Sequence, residues 1–197
     1  MPRPSLKDTR TQQILDAFMR CVARFGLDGS TLARISEEAG VARPLLRHYL
    51  GNREEMVQKL LDHVMQVFAN RVEELFAALP SSDRTQAMME ALFGRSVYSS
   101  ENAAVFAALV AASERYGALR DPLQGFVYDF EARVAAEIAH DAPTANTQDI
   151  NVAAAGITAI YFNTDAIMPL KPRAGWRDTQ RAAAQMLLDR LHGGALD

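Results

Sequence analysis

The sequence predicts an all-α protein of about nine helices. Apolar residues recur at intervals of three and four along nearly the whole chain, which is the spacing of a helix with one buried face. No segment shows the apolar–polar alternation of a half-buried strand. Of the 197 residues, 49% are hydrophobic and 23% are charged. This composition supports a packed core and argues against a mostly disordered chain.

Glycines and capping residues mark the ends of the first three helices. Gly26 and Gly40 are expected to end the first and second helix, because glycine readily adopts the left-handed conformation that closes a helix. Ser30 or Thr31 can cap the second helix with a side-chain oxygen. The predicted bounds are Thr9–Phe25, Ser30–Ala39 and Ala42–Leu50.

A long fourth helix follows. Asn52 and Glu55 have the spacing of a capping box at its start, and its apolar residues keep helical spacing as far as Pro80. A helix of that length can join an N-terminal head to a C-terminal body. Five further helices are predicted at about Asp83–Tyr98, Glu101–Tyr116, Pro122–Ala139, Thr147–Met168 and Trp176–Leu191.

The stretch Thr31–Leu50, TLARISEEAGVARPLLRHYL, fits the spacing of a helix-turn-helix. Ser36 is small where the two helices would cross, and Gly40 tolerates the positive φ that the turn requires. The positions that would hold the helices together are apolar, namely Ile35, Ala39, Val41, Leu46 and Tyr49.

The span from Arg10 to Met56 resembles the TetR-type regulators. They share the pattern T-x-x-x-I-A-x-x-A-G-V-S-x-G-x-L-Y-x-Y-F-x-x-K-E-x-L. This chain matches it at Thr31, Ile35, Ala39, Gly40, Val41, Leu46, His48, Tyr49, Arg53, Glu54 and Met56. It departs from the family's Ser, Gly, Tyr and Phe at Ala42, Pro44, Arg47 and Leu50.

The resemblance implies a two-part organisation. Residues 1–51 would form a three-helix DNA-binding domain, and residues 52–197 a helical domain for ligand sensing and dimerisation. The expected function is a transcription regulator, commonly a repressor that a small-molecule effector releases from a palindromic operator. An activator or a protein-responsive regulator of the same family is the alternative.

Charge supports DNA as the partner of the head. Through Arg53 the chain has nine basic and five acidic residues, a net charge of +4, and the remainder carries −7. The third helix would enter the major groove, with Arg43, Leu45 and Arg47 facing bases. Arg3, Lys7 and Arg10 could form a basic arm. The predicted DNA-binding residues are Ser30, Thr31, Ala42, Arg43, Leu45, Arg47, His48 and Arg53.

An effector site is expected between helices of the body, lined by apolar groups and a few polar ones. Asp165 follows an apolar segment and could meet a cationic or donor-rich ligand; the alternative is that it pairs with a nearby arginine or faces solvent. The candidates are Met89, Phe93, Phe106, Leu109, Val110, Tyr128, Tyr161, Phe162, Asn163 and Asp165.

The last two helices resemble the family's dimerisation pair. Small residues between Ala153 and Ala159 permit close helix approach, and two such pairs would form a four-helix interface around a two-fold axis. A packed intrachain core is the competing interpretation. A homodimer of this kind suits double-stranded operator DNA with two half-sites.

Catalysis finds little support in the sequence. The four histidines lack metal-ligand spacing, and Cys21 falls on the apolar face of the first helix. No phosphate-binding glycine loop or nucleophile elbow is present. We therefore expect no enzyme activity, catalytic residue, metal or cofactor. A nonspecific architectural DNA binder is a further alternative, although it would not need an acidic body of this size.

Three features of the sequence indicate the cellular compartment of the protein. A single cysteine excludes an intrachain disulfide, and no apolar run follows the N-terminal charges as in a signal peptide. The longest apolar stretch, Ile150–Leu170, is interrupted by Asn151, Asn163 and Asp165. We therefore expect no membrane span and a cytoplasmic location.

Overall fold

The computed structural model describes residues 6–94 and 100–192. Those residues form nine α-helices and contain no strand, which confirms the all-α prediction. None of these helices is both long and apolar enough to cross a membrane. The helices are α1 Leu6–Gly29, α2 Leu32–Ala39, α3 Arg43–Leu50, α4 Arg53–Ala77, α5 Arg84–Phe93, α6 Ser100–Ala112, α7 Arg120–Asp141, α8 Thr147–Ile167 and α9 Trp176–His192.

Two predicted helix ends need comment. The last part of the predicted fifth helix, residues 95–98, lies outside the described residues. The sixth helix ends at Ala112 and not at Tyr116, because the chain turns there, with the Ser113 amide donating to the Val110 carbonyl at 3.1 Å.

The chain divides into two compact units. The first takes its described residues from Met1–Ala69 and Glu101–Gln124, and the second from Asn70–Ser100 and Gly125–Asp197. α4 and α7 each contribute residues to both units. The predicted domain boundary after residue 51 stays a prediction.

The first unit contains the helix-turn-helix. α1, α2 and α3 pack on one another around fully buried Phe18, Ile35 and Leu46. Gly26 interrupts α1 with φ 68° and ψ 172°, as the sequence predicted. Gly40 closes α2 in the left-handed conformation, with φ 61° and ψ 36°, so the chain can reverse into α3.

The predicted capping box opens α4. The side chain of Asn52 accepts a hydrogen bond from the Glu55 amide at 3.0 Å, and the Glu55 carboxylate accepts one from the Asn52 amide at 2.7 Å. This reciprocal pair satisfies two of the amides that a helix N-terminus leaves without partners. The start of α4 is therefore fixed close to the end of α3.

The second unit has its own apolar core, built from α4, α5, α7, α8 and α9. Met88, Met89 and Leu92 of α5 are fully buried in it. A Cβ added at Gly156 would lie 2.6 Å from Cδ1 of Leu187, so α8 and α9 approach closely at this glycine. The expectation of close helix approach in α8 therefore fits the packing.

Candidate functional site

α3 presents one apolar and one basic face. Leu46 and Leu50 are fully buried against the rest of the unit, whereas Arg43 and Arg47 are exposed and lie one helical turn apart. Leu45 is 38% exposed, an unusual position for a leucine. The other predicted contact residues on this helix and its N-cap, Ala42 and His48, are exposed as well.

The two arginines of α3 form no ion pair within residues 6–94 and 100–192, the part of the chain that the structure describes. No carboxylate among the described residues pairs with Arg43 or Arg47. In contrast, Arg20 and Arg24 of α1 both pair with Glu38, whose pKa their hydrogen bonds hold below its ordinary value. α3 therefore offers free guanidinium groups that can bind an anionic partner.

The entry to α2 distinguishes the two predicted capping residues. Thr31 is the N-cap: its exposed side chain accepts a hydrogen bond from the Arg34 amide at 3.3 Å. Ser30 is fully buried, and its hydroxyl donates to the Gly26 carbonyl at 2.7 Å. The prediction that Ser30 contacts DNA is therefore wrong, because solvent does not reach this hydroxyl; Thr31 is still available.

Arg34 is a further exposed residue near the entry to α2, and the sequence analysis did not single it out. Its guanidinium lies 4.3 Å from the centroid of the exposed Phe25 ring, and Nη1 donates to the Gly29 carbonyl at 2.6 Å. An aromatic and an arginine nine residues apart, on opposite sides of a turn, give no periodic signal. Only the fold of the turn brings them together.

Arg53 turns inward. Nη1 donates to the Ser30 carbonyl at 3.0 Å and Nη2 donates to the Leu27 carbonyl at 2.6 Å. The guanidinium carbon lies 5.6 Å from the centroid of the Phe18 ring. The predicted phosphate contact of Arg53 does not fit this geometry, because its donors are directed at the protein's own backbone.

The basic arm is described only in part. Arg3 lies outside the described residues. Lys7 is exposed, and Arg10 donates to the side chain of Gln13 at 3.0 Å.

Several effector candidates meet in an aromatic cluster of the second unit. The rings of Tyr161 and Phe162 lie 5.6 Å and 5.4 Å from that of Phe130, measured between centroids. Phe93 contacts Tyr161 edge-on at 6.2 Å, and Met89 is buried in the same core. The cluster is mainly a packed core, with Tyr161 and Phe162 half-buried at its edge.

The remaining candidates, Asp165 apart, are found in both units. Phe106, Leu109 and Val110 belong to the first unit. There Leu109 is buried and Val110 is exposed. Tyr128 and Asn163 of the second unit are exposed. The ten predicted residues are thus divided between the two units, and those of the second unit include both buried and exposed side chains.

Asp165 lies in a polar cluster within the second unit. Nη2 of Arg177 donates to its Oδ1 at 3.1 Å, and the Tyr161 hydroxyl interacts electrostatically with the same carboxylate. Arg177 also donates to the carbonyls of Phe93 and Leu92 at 2.9 Å and 3.1 Å. The alternative in which Asp165 pairs with an arginine is therefore confirmed.

Burial sets the ionisation of this cluster. The side chains of Asp165 and Arg177 are 15% and 11% exposed. Burial raises the pKa of Asp165 above its usual range, while Arg177 and Tyr161 oppose that rise. The pKa of Tyr161 is raised as well, chiefly by burial and then by the neighbouring carboxylate. Arg177 was not predicted, because it lies across the α8–α9 connection, where helical spacing carries no information.

A cavity of about 290 Å³ adjoins Arg177 at that connection. The indole N–H of Trp176, next to it in the chain, is buried without a hydrogen-bond partner among the described residues. The cavity is lined by Met168, Pro172, Arg173, Gly175, Trp176, Arg177 and Asp178.

Comparison with known proteins finds a family match in the N-terminal part of the chain and a shared fold over nearly all of it. Residues 14–60 match the family model described as bacterial regulatory proteins, tetR family. A TetR-family transcriptional regulator from Cytophaga hutchinsonii superposes with a TM-score of 0.80 at 13% identity, over 98% of this chain and 100% of the other. A TetR transcription regulator from Haloarcula marismortui gives 0.71 at 18%, over 93% and 98%. Residues 14–60 therefore carry the tetR-family match, and the solved structures share the fold of the chain. The resemblance expected from the sequence is thus confirmed.

Curated relatives match this chain over shorter spans. The HTH-type transcriptional regulator BetI of Vibrio atlanticus is 30% identical over 86 residues, which are 44% of this chain and 43% of the relative. BetI of Vibrio parahaemolyticus is 26% identical over 103 residues, 52% of each chain. The chain therefore spans about half the length of the curated relatives it matches. The solved structures, at their low identities, support the fold alone.

The α8–α9 pair exposes apolar side chains. Val152 of α8 is 62% exposed and Met186 of α9 is 72% exposed. Small residues beside them are exposed too, namely Ala159, Ala182 and Ala183. Exposed apolar residues mark a surface that a partner covers where they form a contiguous patch.

Proposed function

We propose that this chain is a dimeric transcription regulator that binds a two-fold symmetric operator through α3. The observation that carries the proposal is the pair of exposed, unneutralised arginines, Arg43 and Arg47, on the second helix of a tetR-family helix-turn-helix. In this motif the second helix reads base edges in the major groove. An exposed basic face on that helix supplies both the attraction to phosphate and the donors that read guanine.

Each contact residue has a role that follows from its chemistry. Arg43 and Arg47 would donate to guanine edges or phosphates, and Leu45 would contact a thymine methyl group. His48 and Thr31 would bind backbone phosphates, with Thr31 at the N-terminus of α2 where backbone amides point outward. Ala42 would allow close approach to the groove.

The effector is proposed to act on the second unit. Tyr161, Asp165 and Arg177 provide a polar cluster beside an aromatic one, the combination that fixes the orientation of a small ligand. A ligand that engages Asp165 or Arg177 would replace part of their mutual pairing and shift the packing of α8 on α9. Coupling of effector and operator binding would be about 1–3 kcal/mol and reciprocal.

Dimerisation is proposed to use α8 and α9. The apolar surface formed by Val152 and Met186, with the small residues beside them, would be covered by the same surface of a second copy around a two-fold axis. Binding of operator DNA implies action in the cytoplasm. The two α3 helices would then address half-sites about 34–36 Å apart.

The test measures binding of the purified protein to duplexes that tile the DNA next to its own gene, with random duplex as competitor. We expect one near-palindromic duplex to be preferred. Arg43→Ala/Arg47→Ala should lower that preference on the order of 10- to 100-fold or more, because each base contact contributes roughly 1–3 kcal/mol. Arg120→Ala/Lys171→Ala removes the same charge from exposed positions elsewhere and should leave the preference unchanged.

Two outcomes would contradict the proposal. Equal binding of all duplexes by the wild type would indicate a nonspecific DNA binder. Equal losses in the two double variants would indicate that net charge alone matters and that α3 does not read sequence. The salt concentration must be fixed, since phosphate contacts make the affinity strongly salt-dependent.

A further inference from the structure

The turn between α1 and α2 has two carbonyl groups that its own backbone does not fully satisfy. Leu27 and Ser30 are both buried, and Ser30 precedes the N-cap Thr31, so the Ser30 carbonyl lies outside the hydrogen bonding of α2. The Leu27 carbonyl accepts only the Ser30 amide from the turn, at 3.2 Å. Buried carbonyls of this kind need a donor from elsewhere.

Arg53 supplies that donor from the first turn of α4. Its two terminal nitrogens reach two different carbonyls, those of Ser30 and Leu27, while the guanidinium lies over the Phe18 ring of α1. The planar fork of arginine holds one donor nitrogen toward each carbonyl in a fixed geometry, whereas a lysine ammonium is a single point on a flexible stem and would have to share its one nitrogen between them. The family pattern has lysine at this position, where this chain has Arg53.

The other side of the same helix start is bound to α3. Lys59 of α4 donates to the Tyr49 carbonyl at 3.0 Å, near the C-terminal end of α3. The first two turns of α4 therefore hold both the entry to α2 and the exit from α3. A displacement of α4 would be transmitted to both helices of the DNA-reading motif.

We propose that Arg53 is a positioning residue for operator recognition: it fixes the turn that carries Thr31 and orients α2 and α3, and it does not contact phosphate. The proposal rests on the proposed operator binding. It assigns to this position a role different from the one that its charge alone would suggest.

The experiment compares Arg53→Lys and Arg53→Gln with the wild type in the full-length protein. Affinities for the preferred duplex and for random duplex are measured at several salt concentrations. A positioning role predicts that Arg53→Lys, which keeps the charge, lowers the ratio of specific to random affinity on the order of 10-fold. The salt dependence of binding should stay the same in both variants, because no phosphate contact is lost.

Arg47→Gln is the matched control, since it removes an exposed charge from α3. It should reduce the slope of log affinity against log salt concentration by about 0.9. A merely destabilising effect of Arg53→Lys would lower specific and random affinity by the same factor and leave their ratio unchanged. Thermal melts of each variant set an assay temperature at which all are folded.

The outcomes separate the two proposals. If the wild type prefers one duplex and Arg53→Lys keeps that preference while Arg53→Gln reduces the salt slope, Arg53 contacts phosphate and the positioning role is overturned. If the ratio is unchanged in both variants, the positioning role is overturned as well. If the wild type prefers no duplex, the proposed operator binding fails and this inference fails with it.

Discussion

Glu38 shows at the scale of one residue how the helix-turn-helix is fixed to α1. Its side chain is 23% exposed and accepts hydrogen bonds from Arg20 and Arg24. These bonds lower its pKa in the folded state relative to the unfolded chain. A lowered carboxylate pKa gives stability that is present above the unfolded pKa and is lost as the pH falls through the folded pKa.

We therefore expect Glu38→Gln to lower the free energy of unfolding near pH 7 by about 0.5–1 kcal/mol, since both arginines are well exposed and screened. The difference from the wild type should shrink as the pH falls below about 4.5. Urea unfolding over a pH series measures both the loss of stability near pH 7 and its decrease at lower pH. The neighbouring exposed Glu37 provides the control: Glu37→Gln should show neither effect, and equal behaviour of the two variants would contradict the pairing.

Arg177 and Asp165 give the opposite pH dependence. Burial raises the pKa of Asp165, so the folded protein binds more protons than the unfolded chain between the two pKa values, and its stability falls as the pH rises through that window. Arg177→Gln removes the cation that favours the charged carboxylate. We expect it to destabilise the protein by roughly 2–4 kcal/mol near pH 7.

The deficit of Arg177→Gln should diminish in acid, because Asp165 can then take up a proton and lose its buried charge. Urea unfolding near pH 7 and near pH 5 would measure this change. Arg177→Gln/Asp165→Asn should recover part of the stability at the higher pH. A deficit that is independent of pH would show that Arg177 acts only through the carbonyls of Leu92 and Phe93.

At the scale of helices, the α2–α3 turn depends on the backbone of Gly40. A Cβ at this position would have no atom within 4 Å, so a substitution meets no steric obstacle and only the left-handed φ of 61° opposes it. Gly40→Ala should therefore cost about 1–2 kcal/mol of stability. Gly40→Asn should cost less, because asparagine tolerates this conformation better.

Gly125 in α7 is the matched control for Gly40. A Cβ there also has no atom within 4 Å, but the residue lies inside a regular helix. Gly125→Ala should raise the free energy of unfolding by about 0.5–1 kcal/mol. Chemical denaturation of both variants checks the pair. If both alanine variants changed the free energy of unfolding in the same direction, φ at residue 40 would not be the deciding factor.

Helix ends could be predicted wherever the sequence provides a local signal. Gly26, Gly40 and the Asn52–Glu55 capping box act through neighbouring residues, and each does what its pattern indicates. The end of α6 at Ala112 was missed, since no glycine or proline occurs before Gly117. Local chemistry determines the boundaries of helices, and periodicity alone cannot.

The candidate site was less predictable, because side-chain partners depend on the assembled fold. The pattern of α3 was sufficient to place Arg43 and Arg47 on an exposed face. It could not indicate that Arg53 turns inward to the carbonyls of Leu27 and Ser30, which precede it by more than twenty residues. Similarly, periodicity marks buried faces without assigning them to one of two cores.

At the scale of the whole molecule, dimerisation through α8 and α9 is the prediction with the widest consequence. In a two-fold interface each substitution occurs twice, so Met186→Glu would place two like charges near the axis in an apolar environment. We expect the dimer to dissociate on the order of 100-fold more readily. Sedimentation equilibrium at several concentrations measures this constant directly.

Leu170→Glu is the control for that substitution. Leu170 is 75% exposed, comparable with Met186 at 72%, but it lies in the short turn after α8 and outside the proposed surface. The Leu170→Glu variant should remain dimeric. If Met186→Glu is monomeric, it should also lose affinity for a palindromic duplex while keeping its weak affinity for one half-site, because α3 itself is unchanged. A Met186→Glu protein that stays dimeric would exclude this surface as the interface, and another face would then have to set the spacing of the two α3 helices.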